Sequence, residues 1–298
     1  MKKGLTFTVI AKAQSLNYGE SFSTIHEIKK LTRLDGNTYT FASRQAIGYD
    51  IRRLGHEIFS WKKDVIDKKK KTSQYLDSMT IKDSEEMDLF GYLKTVKDGI
   101  ADKRDAIVRV SNCISLEPYR GDTDYLTNKG FSDRVGNHPI PVTIEQHLSY
   151  YTYTVTIDLS KVGVDKDIEL SNEVKCNRVI QLLEIIKILN RNIRGRQENL
   201  SPLFVVGGMY DVANPFFLGR VSIEGNKNGY KVNSNTIEEI VNSTFLGKEL
   251  KESTYIGMVE GAFTNKEEFK NILGENLLTV DKFFSELTKS VKKYYGVN

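Results

Sequence analysis

The chain has little cysteine and no long apolar run. These two features argue against a disulfide-linked secreted protein and against a membrane-spanning protein. Only two cysteines, Cys113 and Cys176, occur in 298 residues, and neither belongs to a CxxC pair. They are expected to be small buried side chains in a reducing compartment. The N-terminal apolar run is broken by threonines and followed by Lys12, so it predicts a first strand rather than a signal peptide. No apolar segment is long enough to span a bilayer. We therefore predict a cytoplasmic protein without a membrane partner.

The signatures of common catalytic and cofactor sites are also missing. No GxSxG motif occurs, and the glycines at 207–208 and 225–229 lack the fixed spacing of phosphate-binding loops. His138 and His147 share one segment, but their spacing does not match that of zinc ligands. We therefore expect no metal, no cofactor and no enzymatic activity.

The charge balance is mildly basic. The net charge is +4 over 298 residues. This value is compatible with a nucleic-acid partner but does not require one, because nucleic-acid binding depends on how the basic residues cluster. A chain of this length forms one elaborated domain or two.

The most informative segment is 39–53, which reads as a short strand turning sharply into a helix. Ser43 is a good N-cap, and Arg44 and Gln45 then lie in the first helical turn. Apolar residues follow at helical spacing: Ile47, Ile51, Leu54 and Ile58. Unpaired N–H groups, the positive end of the helix dipole and a guanidinium meet there, which suits a phosphate. The alternative is an ordinary capped helix with a solvated arginine.

The order of predicted elements gives a fold class. Strands are predicted at 5–13, 105–117, 149–159 and 203–210, and helices at 43–59 and 172–193. The resulting β-α-β-β-α-β order is that of ferredoxin-like and RNA-recognition-motif folds. The second helix is expected to bury Val174, Ile180, Leu183, Ile186, Leu189 and Ile193. Further predictions are a hairpin at 216–233, a strand at 255–259 and a helix at 276–295.

Two segments interrupt this order. Residues 60–104 are polar and lysine-rich, and they predict an insertion with a basic loop. Residues 119–147 are rich in turn residues and predict an irregular hairpin.

Basic residues cluster in three places, which are the first helix, the insertion and the end of the second helix. The last cluster is Arg191, Arg194 and Arg196. Cations at a helix C-terminus complement its dipole, so a structural role explains Arg191 and Arg194. A lysine run usually lies in a solvated loop. Among these basic residues, Arg44 is therefore the strongest candidate to bind a ligand.

Two blocks resemble a known family. One joins residues 5–19 to 41–46, and the other is Arg109–Pro118; the likeness continues through Val206–Asp211. Together they are similar to the DevR-type backbone subunit of type I-B CRISPR Cascade complexes, in the repeat-associated RNA-binding superfamily. Cys113 stands where a smaller residue such as alanine is expected.

The resemblance implies an α+β fold shaped like a hand. A ferredoxin-like palm of RNA-recognition-motif type would comprise residues 1–59, 105–118 and 148–298, with inserted fingers at 60–104 and a thumb β-hairpin at 119–147. It also implies a non-catalytic subunit that polymerises along CRISPR RNA as a helical stack of copies. The partners implied are CRISPR RNA, other Cascade subunits and, through the guide, target DNA.

The resemblance also selects candidate RNA-binding residues. Ser43, Arg44 and Gln45 match by position the family's helix-start motif that meets the RNA backbone. Of the remaining RNA-binding candidates, Arg52 and Arg53 come from the basic cluster on the first helix, and Arg120, Lys129 and Arg134 come from the region that matches the thumb. Candidates for the target strand or non-specific nucleic acid are Lys68, Lys69, Lys70 and Lys71.

A nuclease is the alternative from another class. Related backbone subunits of type III complexes cut target RNA with an acidic residue in an N-terminal loop. Glu20 and Asp35 lie in the corresponding region here. Asp35 precedes Gly36 and is adequately explained as a turn residue.

Overall fold

The computed structural model describes residues 3–63, 65–67, 74–95 and 101–298, with the backbone alone at 20–22. The helices are α1 (Arg44–Phe59), α2 (Glu85–Phe90), α3 (Lys129–Val135), α4 (Asn172–Lys187), α5 (Ser234–Val241), α6 (Lys266–Leu273) and α7 (Val280–Tyr295). The strands are β1 (Gly4–Gln14), β2 (Tyr18–Phe22), β3 (Ile25–Ile28), β4 (Lys30–Thr32), β5 (Thr38–Ala42), β6 (Tyr92–Thr95), β7 (Ala101–Arg104), β8 (Val108–Val110), β9 (Cys113–Ser115), β10 (Thr123–Thr127), β11 (Pro141–Glu145), β12 (Leu148–Asp158), β13 (Val164–Asp165), β14 (Ile168–Glu169), β15 (Asn190–Ile193), β16 (Arg196–Asn199), β17 (Phe204–Tyr210), β18 (Ile223–Asn226), β19 (Gly229–Val232), β20 (Thr244–Phe245), β21 (Lys248–Glu249), β22 (Thr254–Met258) and β23 (Leu277–Leu278). Within these ranges no helix is long and apolar enough to cross a membrane.

A nine-stranded sheet organises the chain, in the order β23-β22-β17-β1-β12-β9-β5-β4, with β8 also paired to β12. Strand β1 lies at its centre and is antiparallel to β12 on one side and to β17 on the other. Strands β8 and β9 are both antiparallel to β12. The predicted α+β class is therefore confirmed.

One face of this sheet is covered by helices α1, α4 and α7. Alternation along β1 turns Leu5, Phe7 and Val9 to this side, where they join the buried faces of the three helices. Phe7 meets the rings of Phe283 and Phe284 edge-on, with centroids 6.4 and 5.8 Å away. Burying a side chain of this size contributes about 1.5–3 kcal/mol, so these contacts help to hold α7 against the sheet.

The opposite face changes character across the sheet. Near β17 and β22 it carries a second apolar core, packed against α5 and α6. Between β1 and β12 it carries threonines, with Thr6 Oγ1 2.8 Å from Thr156 Oγ1 and Thr8 Oγ1 2.7 Å from Thr154 Oγ1. These cross-strand pairs satisfy buried hydroxyls and pin the register of the two strands.

A buried carboxylate in α2 ties the insertion to the core. Asp88 of α2 accepts from Arg104 Nη2 at 2.7 Å, from Arg178 Nη1 of α4 at 2.7 Å and from the Gly163 N–H at 2.9 Å. Its side chain is fully buried. A charge so placed is stable only while these partners remain, so α2 is fixed relative to α4.

The segment at 119–147 forms the predicted hairpin, with a helix at its tip. Strands β10 and β11 pair antiparallel from Thr123↔Glu145 to Thr127↔Pro141, and α3 lies between them. Strand β11 also pairs in parallel with β3, which makes a four-stranded sheet β10-β11-β3-β2. The hairpin is thereby joined to the N-terminal segment.

The prediction for the second helix was wrong at its end. The helix stops at Lys187, and β15 and β16 form a hairpin across the two-residue turn Arg194–Gly195. Asparagines and glycine are poor helix formers, and a two-residue turn joins antiparallel strands. Arg191, Arg194 and Arg196 therefore do not lie at a helix C-terminus. Of the expected buried face, Val174 is 41% exposed and Ile193 lies in the hairpin.

Other boundaries need smaller corrections. The strand predicted at 105–117 divides into β8 and β9, because Ser111 Oγ accepts the Thr154 N–H at 2.9 Å in place of a ladder bond. Ile58 at the end of the first helix is 47% exposed, since α1 runs past the core there. Both cysteines are buried and unpaired, as predicted. The hairpin within 216–233 and the strand near 255–259 are confirmed, and the last helix begins at Val280.

Candidate nucleic-acid interface

The start of α1 is capped as the sequence predicts. Ser43 Oγ accepts the Ala46 N–H at 3.3 Å. The Arg44 N–H donates to Asn112 Oδ1 at 2.9 Å, and the Ile47 N–H donates to the Ser43 carbonyl. The first turn is thus less bare than predicted, but the positive end of the dipole and the Arg44 guanidinium remain beside each other.

A groove of about 400 Å³ opens beside this first turn. Arg44 and Gln45 are exposed along one wall, and Arg109 of β8 is exposed along the other. Arg52 lies further along, with its guanidinium 5.2 Å from the Phe90 ring and 3.8 Å from Glu86. The groove therefore brings three guanidinium groups and a helix N-terminus together, a set that suits phosphate groups.

Arg109 was not predicted as a site residue. It comes from a strand about fifty residues after the end of α1, and the pairing of β8 with β12 places it at this wall. The one local signal was a charged residue between Val108 and Val110, which is ordinary alternation for a half-buried strand.

Arg53, by contrast, is held inside the protein. Its Nη2 donates to the carbonyl and to Oδ1 of Asn190 at 2.9 and 2.7 Å, and its Nη1 donates to Glu57 at 2.9 Å. Its side chain is 13% exposed. Successive helix residues point about 100° apart, so Arg52 lines the groove and Arg53 turns away from it.

A buried ion pair sets the position of this helix start. Arg191 Nη1 donates to Asp50 Oδ2 at 2.6 Å and to the Ala46 carbonyl at 3.3 Å, and Arg191 Nε donates to the Leu16 carbonyl at 2.6 Å. Burial raises the pKa of the Asp50 carboxyl, and the Arg191 guanidinium opposes that shift. Arg191 thus fixes the first turn of α1 relative to the end of β1.

The basic residues predicted in the thumb lie apart from the groove walls. Arg120 is exposed beside the β18–β19 hairpin, in a cleft with Glu117 and Tyr230. Lys129 and Arg134 are exposed on α3, at the hairpin tip, where the Arg134 guanidinium lies 5.5 Å from the Phe131 ring. Their cations are presented to solvent on a separate element.

Some predicted residues fall outside what the structure describes. Lys68, Lys69, Lys70 and Lys71 lie outside the described ranges, and the Glu20 side chain is not described. Asp35 Oδ1 accepts the Asn37 N–H at 2.9 Å, and this bond lowers the pKa of the Asp35 carboxyl. The geometry fits its interpretation as a turn residue. Among the described residues, no group of three or more His, Cys, Asp and Glu side chains is placed to hold a metal ion.

Similar folds occur in solved structures. A chain of a structure described as a CRISPR RNA-guided surveillance complex, pre-nicking, matches with a TM-score of 0.62 at 10% identity, over 97% of this chain and 100% of that one. A chain of a CRISPR RNA-guided surveillance complex matches with a TM-score of 0.56 at 12% identity, over 98% and 99%. At these identities the likeness is one of fold.

Sequence comparison gives the family. No curated protein matches the chain. Residues 5–231 match the family described as CRISPR-associated negative auto-regulator DevR/Csa2, which confirms the resemblance found in the two sequence blocks. Since this match spans about three quarters of the 298 residues, the chain belongs to the DevR/Csa2 family of CRISPR-associated proteins.

Proposed function

We propose that this protein is a non-catalytic backbone subunit of a type I-B CRISPR Cascade surveillance complex in the cytoplasm. Copies would polymerise along CRISPR RNA beside other Cascade subunits and present the guide for recognition of target DNA. Family membership and the whole-length likeness to chains of RNA-guided surveillance complexes support this proposal.

The central topology supports a ferredoxin-like palm. Strand β1, helix α1, strands β8 and β9, strand β12, helix α4 and strand β17 follow one another in β-α-β-β-α-β order. Their order in the sheet is β17-β1-β12-β8/β9, all antiparallel. On this proposal the fingers occupy 60–104 and the thumb occupies 119–147.

The observation that carries the proposal is the groove at the start of α1. Arg44, Gln45, Arg52 and Arg109 line it. Guanidinium groups and helix N–H donors can bind phosphate oxygens, and contacts to phosphate carry no information on base sequence. A subunit that holds guides of any sequence needs this kind of contact, because it must leave the base edges open for pairing with a target.

The thumb supports contact between copies. It exposes four large apolar side chains, and each is more than 60% accessible: Tyr125, Phe131, Val135 and Ile140. A group of exposed apolar side chains on a projecting hairpin is typical of an interaction surface. In a helical stack this surface would pack on the neighbouring copy.

The first test is whether purified protein carries RNA of discrete length, measured by absorbance ratio and denaturing gel. Arg44→Ala should then weaken binding of single-stranded RNA regardless of its sequence. It should also reduce the slope of log affinity against log salt by about 0.7, the value for one phosphate contact. Lys289→Ala is the control, since Lys289 lies on α7 and pairs with Glu286.

Three outcomes would count against the proposed function or against its site. If the protein neither carries nor binds RNA, the function proposed here is wrong. If assembled protein cleaves complementary RNA in the presence of Mg²⁺, the nuclease alternative replaces the non-catalytic role. Unchanged affinity and salt slope in Arg44→Ala would move the site away from α1.

A further inference from the structure

The turn of the β15–β16 hairpin holds an arginine in an unfavourable backbone conformation. Arg194 and Gly195 have φ values of 47° and 74°. A two-residue turn of this type favours Asn, Asp or Gly at its first position, since other side chains meet the backbone in the left-handed region. Such a conformation is strained, and strained residues often mark functional positions.

The Arg194 side chain is held in one orientation while remaining exposed. Its guanidinium lies 4.2 Å from the centroid of the Tyr18 ring, and its Nη2 donates to His26 Nδ1 at 2.9 Å. An arginine stacked on an aromatic ring keeps its planar set of donors in a fixed direction. The residue itself is exposed to solvent, so a charged group is presented with much of its conformational freedom already removed.

The hairpin contacts both α1 and the base of the thumb, the two elements that carry most of the RNA-binding candidates. On one side Arg191 bonds to Asp50 and to the Ala46 carbonyl in α1. On the other side Arg196 Nη1 donates to Gln146 Oε1 at 3.3 Å, at the base of the thumb. Arg194 lies three residues beyond Arg191, or about 10 Å along an extended strand. The ring beneath Arg194 lies between the same two elements, because Tyr18 Oη donates to the Glu145 carbonyl at the thumb base at 3.0 Å and the neighbouring Asn17 donates to Ser43 Oγ, the cap of α1, at 3.5 Å.

We propose that Arg194, oriented by Tyr18, binds a phosphate of the same RNA strand that the α1 groove holds. This inference rests on the proposed function and adds a second, sequence-independent contact to it. A single strand passing from the first turn of α1 to the thumb base would cross the hairpin tip. A fixed guanidinium there is suited to a bidentate bond with a phosphate.

The test uses Arg194→Asn in the intact protein. Asparagine tolerates the left-handed conformation, so the turn and the thermal midpoint should be kept while the cation is removed. Affinity for a labelled single-stranded RNA of mixed sequence should fall about tenfold, as expected for one lost bond to a charged group. The salt slope should fall by about 0.7. Arg194→Lys should restore the slope but only part of the affinity, because it keeps the charge and loses the planar donors.

Lys166→Asn is the matched control. Lys166 is also a basic residue at positive φ in a two-residue hairpin turn, and it pairs with Asp102 of the insertion. It should leave RNA affinity and salt slope unchanged. If Arg194→Asn keeps the wild-type RNA affinity and salt slope while Arg44→Ala binds RNA more weakly, the Arg194 contact is overturned and the proposed function stays intact. An affinity loss with an unchanged slope and a lower thermal midpoint would overturn it in favour of a structural role. Absence of RNA binding by the wild type would overturn both.

Discussion

Removing the Asp88 carboxylate should destabilise the protein more than any exposed ion pair does. In Asp88→Ala the guanidinium groups of Arg104 and Arg178 lose a shared partner at 2.7 Å. Their side chains are only 6% and 5% exposed, so water cannot replace the lost oxygens. Breaking a buried pair in this way costs about 3–5 kcal/mol, because an uncompensated charge is left behind.

The thermal midpoint gives a direct measurement. Unfolding entropy is about 2.1 cal/mol/K per residue, so for a chain of this size the loss corresponds to a fall of about 5–8 °C. Asp88→Asn keeps one acceptor oxygen and should fall between Asp88→Ala and the wild type. The control is Glu286→Ala, which removes a surface pair with Lys289. It should cost less than about 0.5 kcal/mol, since exposed pairs are screened by solvent.

The Asp88→Ala substitution should also weaken RNA binding at the groove. Asp88 is in α2 and Phe90, two residues later, lies under the Arg52 guanidinium and lines the groove. Loosening α2 should therefore lower RNA affinity in Asp88→Ala and spare it in Glu286→Ala. If Asp88→Ala melts within a degree of Glu286→Ala, the guanidinium groups have found other partners and the buried network does not fix the insertion.

Two further predictions concern the thumb and the acid stability. Replacing residues 122–145 with a short Gly-Ser linker should leave the nine-stranded sheet folded and short-RNA binding intact, but abolish long guide-bound assemblies; normal assemblies by electron microscopy after co-expression with a CRISPR array would contradict this. Hydrogen bonds from Lys3 and Lys248 lower the pKa of Asp211. This carboxylate therefore stabilises the fold above the usual aspartate pKa of about 3.9 and loses that effect as pH falls further. Asp211→Asn should therefore melt at a lower temperature than the wild type at pH 7. The loss in free energy of unfolding should be less than about 1 kcal/mol, because the ion pairs lie near the surface, and it should vanish towards pH 2. A difference that stays constant across that pH range would contradict this pH dependence.

Local signals in the sequence predicted local structure well. Ser43 was recognised as a cap because the capping bond joins residues three apart, and the structure has that bond. The strand at Leu148–Asp158 was evident from its β-branched and aromatic residues. The hairpin at Ile223–Val232 was evident from its glycine-flanked turn.

Contacts between residues far apart in the chain could not be predicted from the sequence. Arg191 was placed at a helix end, whereas it binds Asp50, 141 residues away. The sequence makes Arg53 an RNA-binding candidate together with Arg52, but a bond to Asn190 holds Arg53 within the protein. No local pattern marks Asp88 as buried, because its partner Arg178 lies ninety residues later. Each case depends on a partner that pairing of distant segments brings near.

On the proposed function, a protein with a net charge of only +4 would serve as an RNA scaffold, and its arginines divide into an internal and an exposed set. Arg53, Arg104, Arg178 and Arg191 all bond to carboxylates within the fold. They hold α1, α2 and α4 in place, while Arg44, Arg109 and Arg194 are presented to solvent. A few phosphate contacts give weak binding for one copy, but contacts add along one strand when copies are linked. On the proposed function, stable binding of the guide therefore requires assembly, and the small net charge limits repulsion between the copies that must stack.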